Sequence, residues 1–248
     1  MFAMRKKDSI GLKKAQRFHS ILDKDVSFSY VEAFKTLRTN LDFVTSFSEV
    51  RSIMVTSALP EECKTTTVLN LAVALAENKY SVIVIECDLR KPAFHKYLKL
   101  KNTTKGLSSL LSPGTDINEC ITEVEKLGIS VIHAGLIPPN PSELLARGRM
   151  RVIIDILKQR YDFVIVDTPP MGVVTDAAVV GQVCDGAVLV VRSRFAQTKT
   201  IRLAKQRLES VDIKILGAIL TRYNAKKSRG QSGYTYSDYK YGYGKKRG

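Results

Sequence analysis

The sequence predicts an α/β domain built on a doubly wound, mostly parallel sheet, and three observations predict it. Six short β-branched runs are apolar almost throughout instead of alternating, as strands buried on both faces are. Amphipathic helical patterns are interspersed with the runs, which is the signature of strand–helix–strand crossovers. Three of the runs end in polar residues suited to phosphate chemistry, and in such sheets ligands bind at the carboxyl ends of the strands.

In chain order, a helical pattern, SYVEAFKTLRTNLDFV (29–44), precedes the first strand, SIMVTS (52–57). The helix TTVLNLAVALAENK (66–79) then leads to the strand SVIVIE (81–86), and a third strand follows at ISVIHA (129–134). One long helical pattern, SELLARGRMRVIIDILKQR (142–160), precedes the strand DFVIVD (162–167). The remainder reads as the helix DAAVVGQV (176–183), the strand GAVLVVR (186–192), the helix KTIRLAKQRLES (199–210) and the strand ILGAIL (215–220). From Tyr223 the periodicity vanishes and Gly, Ser, Lys and Tyr dominate, a composition that predicts a disordered tail. The chain therefore divides into a basic segment at 1–28, one domain at 29–222 and a Tyr-rich basic tail at 223–248.

With 248 residues, 44% of them hydrophobic, the chain can bury a full core. No apolar run approaches the length that spans a bilayer, and the N-terminal residues lack the apolar centre of a secretory signal. Cys63, Cys87, Cys120 and Cys184 show no paired or zinc-type spacing, which suits a reducing compartment. Of the net charge of +15, +5 lies in residues 1–24, +7 in residues 222–248 and +3 between them. Basic tails on a near-neutral body suit an anionic membrane surface, at about 1 kcal/mol per basic residue. Solvated termini that keep the protein soluble are an equally good account of them.

The first strand runs into SALPEECKTT. Lys64 and Thr65 fit the end of a phosphate-binding GxxxxGK[ST] loop, with Ala58 and Cys63 standing at its two glycine positions. The second strand ends in ECDLRKP, placing Glu86, Asp88, Arg90 and Lys91 at its carboxyl end, and the fourth ends in Asp167 of VIVDTPP. A magnesium nucleotide calls for backbone amides and a lysine at the phosphates, a hydroxyl on the metal and a carboxylate beside it. The three strand ends together supply that set.

On EAFKTLRTNL (32–41), the loop at 57–67, ECDLRKP (86–92), PPNPSELL (138–145), VIVDTPPMGVVTDA (164–177) and a C-terminal tyrosine cluster, the chain resembles the bacterial tyrosine kinases of capsule and exopolysaccharide synthesis. The resemblance implies a P-loop NTPase fold and an ATP-dependent protein-tyrosine kinase using ATP and Mg2+. It assigns Ser57, Ala58, Pro60, Glu61, Glu62, Cys63, Lys64, Thr65 and Thr66 to the nucleotide cradle. Thr65, Asp88 and Asp167 would hold the metal, and Lys64, Glu86, Asp88, Asp167 and Arg90 would form the catalytic group. Glu86 stands where the family has an aspartate thought to activate the tyrosine hydroxyl. Asp176 reads as a cap of the helix that follows it.

Two departures stand out. The family's PGEGK reads PEECK here, so Glu61 and Cys63 replace glycines, and a side chain in a left-handed backbone costs about 1–2 kcal/mol. Glu86 lengthens the family's aspartate by one methylene, where an error of about 1 Å costs on the order of 100-fold in rate. The second reading is accordingly a catalytically weak or inactive ATP-binding regulatory subunit. Leu59, five residues before Lys64, stands where ATPases of division-site placement and plasmid segregation carry a signature lysine.

Tyr234, Tyr236, Tyr239, Tyr241 and Tyr243 lie within ten residues in a segment with no core to bury them. They read as phosphate acceptors, each gaining about −1.5 to −2 charge when modified. Aromatics among lysines also suit base stacking, but the basic charge lies on the tails and not on the core, so nucleic acid is not expected as a partner. The resemblance further implies a homo-oligomeric ring formed through Glu32, Lys35 and Arg38, and tails phosphorylated in trans. It also implies a transmembrane activator of the polysaccharide chain-length regulator type, a tyrosine phosphatase, and a cytoplasmic location at the inner face of the membrane.

Overall fold

The computed structural model describes residues 18–46, 48–100 and 104–223. Its elements are α1 (Phe28–Ser46), β1 (Ser52–Ser57), α2 (Lys64–Glu77), β2 (Val82–Glu86), α3 (Phe94–Tyr97), α4 (Leu107–Leu110), β3 (Thr122–Val124), β4 (Ile129–Ile132), α5 (Pro141–Ala146), α6 (Arg149–Arg160), β5 (Phe163–Asp167), α7 (Asp176–Gly181), β6 (Gly186–Arg192), α8 (Thr198–Glu209) and β7 (Ile215–Thr221). One seven-stranded sheet has the order β3-β4-β2-β5-β1-β6-β7. All six predicted strands are in it and run parallel. The strand pattern did not reveal β3, which pairs antiparallel with β4 at the sheet edge.

Period-two alternation makes the sheet two-faced. Ile53, Val55, Val84 and Ile165 pack toward Val68, Leu69, Ala72 and Leu75 of α2. Met54, Ile83, Ile85, Val164 and Val166 pack on the other face with residues of α6, α7 and α8, among them Ile154, Leu157, Val180 and Leu208. Burial on both sides is why β1, β2, β4, β5 and β6 read as unbroken apolar runs, while β7, at the sheet edge, is partly exposed. The register pairs Val55 with Asp167 and Glu86 with Asp167, so the carboxyl ends of β1, β2 and β5 lie side by side.

The helical pattern at 142–160 is two helices. Proline sets the first turn of α5 at Pro141, and Arg147 takes an extended backbone (φ −65°, ψ 132°) that ends it before α6 starts beyond Gly148. On α1, Lys35 pairs with Glu32 at 3.1 Å, and Arg38 Nη1 donates to the Ala74 carbonyl of α2 at 3.0 Å. All three residues expected at a ring interface thus lie on the helix that packs on α2. Among the described residues no helix is long and apolar enough to cross a membrane. The five tail tyrosines and residues 1–17 lie outside the described residues.

Candidate functional site

The loop from Ser57 to Lys64 turns from β1 into α2 with Glu61 at φ 64° and Cys63 at φ 68°, both left-handed. These are the two positions where glycine would be free of strain. The backbone turn has been kept and the glycines have not.

Glu62 holds the turn. Its side chain is wholly buried, with Oε2 accepting the Leu59 amide at 2.7 Å and Oε1 the Arg192 amide at 3.1 Å. Around it, Ser57 Oγ donates to the Leu59 carbonyl at 2.7 Å, Thr221 Oγ1 to the Glu62 carbonyl at 3.0 Å and Arg192 Nη1 to the Glu61 carbonyl at 3.3 Å. Arg222 Nε lies 3.3 Å from Cys63 Sγ. Pro60 and Glu61 are exposed at the tip, Thr66 is half-buried and Lys64 is buried. The acidic pair thus divides: Glu61 faces solvent and Glu62 is spent on backbone amides.

A second loop, after β5, braces the first. Thr168 N–H donates to the Val55 carbonyl at 3.1 Å, Met171 N–H to that of Ser57 at 2.9 Å, and Thr56 Oγ1 to that of Pro169 at 3.0 Å. Gly172 lies so close to the loop that a Cβ on it would sit 2.2 Å from the Ala58 carbonyl oxygen.

Thr65 Oγ1 donates to Asp167 Oδ2 at 2.7 Å. The other oxygen, Oδ1, is buried without a hydrogen-bond partner. Burial pushes the Asp167 carboxyl up to about 7 against the pull of Lys64 and the Thr65 hydroxyl, with Glu86 and Asp88 adding repulsion. Asp88 is half-buried and accepts the Lys91 amide at 3.0 Å. A buried, orphaned carboxylate oxygen beside a hydroxyl and a lysine fits a hard divalent cation next to a polyphosphate. Lys64, Thr65, Asp167 and Asp88 are the residues that would hold magnesium ATP.

Glu86 and Arg90, both expected in the catalytic group, are each held by bonds to the protein. Glu86 is buried, and its Oε1 accepts the amides of Ala93 and Phe94 while Oε2 accepts that of Ala134 at 3.0 Å. Burial raises its pKa and these three bonds pull it back. With three amides on its two oxygens, the carboxylate pins the loop into α3 to the end of β4. Arg90 is engaged through Nε and Nη2 with Asp176. Asp176 therefore does not cap α7: Thr175 occupies the cap position without a side-chain bond, and the Asp176 carboxylate receives Arg90 and Ser142. Sequence reasoning missed Ser142 and Gly172. The signal was available in PPNPSELL and TPPMG, short motifs spending a serine and a glycine beside apolar residues.

Residues 60–213 match the sequence family described as an AAA domain. The chain is 39% identical over 205 residues to the tyrosine-protein kinase YwqD of Bacillus subtilis, covering 83% of this chain and 85% of that one. To the tyrosine-protein kinase etk of Escherichia coli K12 it is 40% identical over 208 residues, covering 84% of this chain and 28% of the longer relative. The solved kinase domain of Escherichia coli ETK superposes with a TM-score of 0.74 at 38% identity, over 83% of this chain and 80% of that one. The glycine-free loop, the Thr65–Asp167 pair and the seven-stranded sheet are thus set in a kinase-domain fold, and the chain belongs to the bacterial tyrosine-protein kinase family.

Proposed function

We propose that the chain transfers the γ-phosphoryl group of ATP to tyrosine hydroxyls, first those of its own C-terminal cluster, Tyr234, Tyr236, Tyr239, Tyr241 and Tyr243. The observation that carries the reading is the Thr65–Asp167 bond, 2.7 Å long, beside an Asp167 oxygen with no partner. Around that pair, Lys64 would neutralise the β- and γ-phosphates, Thr65 and Asp167 with Asp88 would hold magnesium, and the loop amides would cradle the triphosphate. Magnesium supplies neutralisation of the charge that builds on the phosphates. This chemistry asks chiefly for positioning and charge compensation, which the rigid strand ends provide.

Transfer runs between copies. From Tyr223 to Tyr243 the tail extends at most about 70 Å, far enough to enter a neighbour's site. Assembly through Glu32, Lys35 and Arg38, activation by a membrane protein of the chain-length regulator type, reversal by a tyrosine phosphatase and control of capsular or exopolysaccharide export complete the proposal. It places the protein at the inner face of the membrane through that partner.

A second reading, a nucleotide-binding subunit that regulates with little turnover, has one observation in its favour: both Glu86 oxygens are bound to backbone amides. Intact mass after incubation with magnesium ATP separates the two. Phosphates added only to the tail peptide, and absent from Lys64→Ala, support the kinase. Unchanged mass with ATP still raising Tm supports the second reading.

A further inference from the structure

The guanidinium of Arg90 is gripped along one edge only. Its Nε donates to Asp176 Oδ2 at 2.8 Å, and its Nη2 to Asp176 Oδ1 at 3.0 Å and to Ser142 Oγ at 2.8 Å. Ser142 Oγ in turn donates to Asp176 Oδ1. Nη1, with two further N–H donors, has no hydrogen-bond partner among the described residues. The burial is as lopsided as the bonding: the Asp176 side chain is 0% exposed and that of Arg90 39%.

Three loops meet at this contact: the one leaving β2, the one entering α5 and the one entering α7. The first and last leave neighbouring strands, β2 and β5, whose final residues Glu86 and Asp167 pair in register. Arg90 lies two residues beyond Asp88 on the loop leaving β2, so it stands at the same sheet edge as the phosphate site. A free arginine spreads over many rotamers. One held by a bidentate carboxylate has its plane fixed and its remaining donors aimed.

We infer that Asp176, seconded by Ser142, is a positioning residue of the transfer site, holding Arg90 by its Nε–Nη2 edge so that Nη1 is presented to the phosphoryl group in transfer. The inference rests on the kinase reading. A loop clip with no part in transfer would use the same bonds, so the test must separate rate from folding and from nucleotide affinity.

The full chain and its Asp176→Asn, Ser142→Ala, Arg90→Ala and Asp176→Asn/Arg90→Ala variants are compared. Initial rates are followed on a synthetic peptide of residues 231–245 with magnesium ATP, beside the Kd for magnesium ATP and Tm. Asparagine keeps the shape but turns an N–H toward the guanidinium. Asp176→Asn is expected to lower kcat on the order of 10- to 100-fold, with nucleotide affinity held within about 2-fold, and Ser142→Ala to lower it several-fold. The double variant is expected to be no slower than Arg90→Ala alone, because the two residues act as one unit. An Asp176→Asn protein as fast as the parent overturns the inference. So does a loss that repeats in full on the Arg90→Ala background, or one matched by the loss of nucleotide affinity. If Asp176→Asn does not fold, Ser142→Ala decides by the same criteria. A parent chain that phosphorylates nothing sinks the kinase reading and this inference with it, whereas an active parent with an unaffected variant sinks only the inference.

Discussion

Thr65 and Asp167, 102 residues apart in sequence, meet at 2.7 Å where α2 begins and β5 ends. The bond uses one carboxylate oxygen and leaves the other buried and unpartnered, in a group that burial has raised to about 7. An unsatisfied buried polar atom costs about 1–3 kcal/mol, a cost that a bound cation removes. Asparagine carries no charge for burial to penalise, so Asp167→Asn should make the nucleotide-free protein more stable at neutral pH, by about 1 kcal/mol, while abolishing the magnesium dependence of ATP binding. Urea unfolding without ligand and ATP titrations with and without magnesium check it. A destabilised variant that still responds to magnesium would show that the orphaned oxygen is not a ligand.

The left-handed backbones at Glu61 and Cys63 give the departures from PGEGK a definite size. Each side chain there costs about 1–2 kcal/mol, while a glycine loses about 0.5–1 kcal/mol more entropy on folding. Glu61→Gly should come out ahead by roughly 0.5–1 kcal/mol and bind ATP more tightly, since it also removes a negative charge at the exposed tip. Cys63→Gly should gain less, because it gives up the contact with Arg222. Chemical unfolding and nucleotide titration of both variants decide. A drop in stability for Glu61→Gly would mean that the loop pays no strain.

Much of this was legible in the sequence. Five of the six parallel strands announced themselves because burial on both faces leaves few polar positions, whereas β7 is apolar although it lies at the sheet edge with Gly217, Ala218 and Leu220 exposed. Lys64, Thr65 and Asp167 were legible because they stand where strands end. β3 was silent: Glu123 is exposed, Thr122 and Val124 are only half-buried, and three residues cannot show a period. The break at Arg147 was hidden because the apolar residues of α5 and α6 keep a helical spacing across it. Side-chain direction was illegible throughout. Glu86 and Asp176 are carboxylates at the ends of strand and loop, as Asp167 is. What separates them is which amides and cations the folded loops bring within reach, and no spacing rule encodes that.

Gly172 is required by the loop it touches. A methyl group there would meet the Ala58 carbonyl oxygen at 2.2 Å, and neither backbone can retreat while Met171 is bonded to Ser57 and Thr56 to Pro169. Gly172→Ala is expected to weaken ATP binding by at least 10-fold and to destabilise the fold by about 1–3 kcal/mol, the usual cost of overpacking. Gly148→Ala is the control: nothing lies within 4 Å of a Cβ at that glycine, and both quantities should stay near the parent values. Equal nucleotide affinity for Gly172→Ala and the parent would show that the two loops are not mechanically joined.

Asp185 links stability to pH away from the nucleotide. Its Oδ2 accepts the amides of Arg51 and Ser52 at 2.9 and 2.8 Å, and its Oδ1 accepts Lys158 Nζ at 2.6 Å, stapling the starts of β1 and β6 to α6. Burial alone would raise its pKa, but Lys158 and the two amides outweigh that and hold it below the ordinary 3.8. The folded state thus prefers the ionised form more than the unfolded chain does. The stabilisation is complete above the unfolded value of 3.8 and is lost as pH falls through the lower folded value. Asp185→Asn should cost about 2 kcal/mol at neutral pH, with a constant gap in urea midpoint down to about pH 5 that closes below about pH 4. A gap that persists at pH 2 would mean that asparagine loses packing and not charge, and that the staple is not electrostatic.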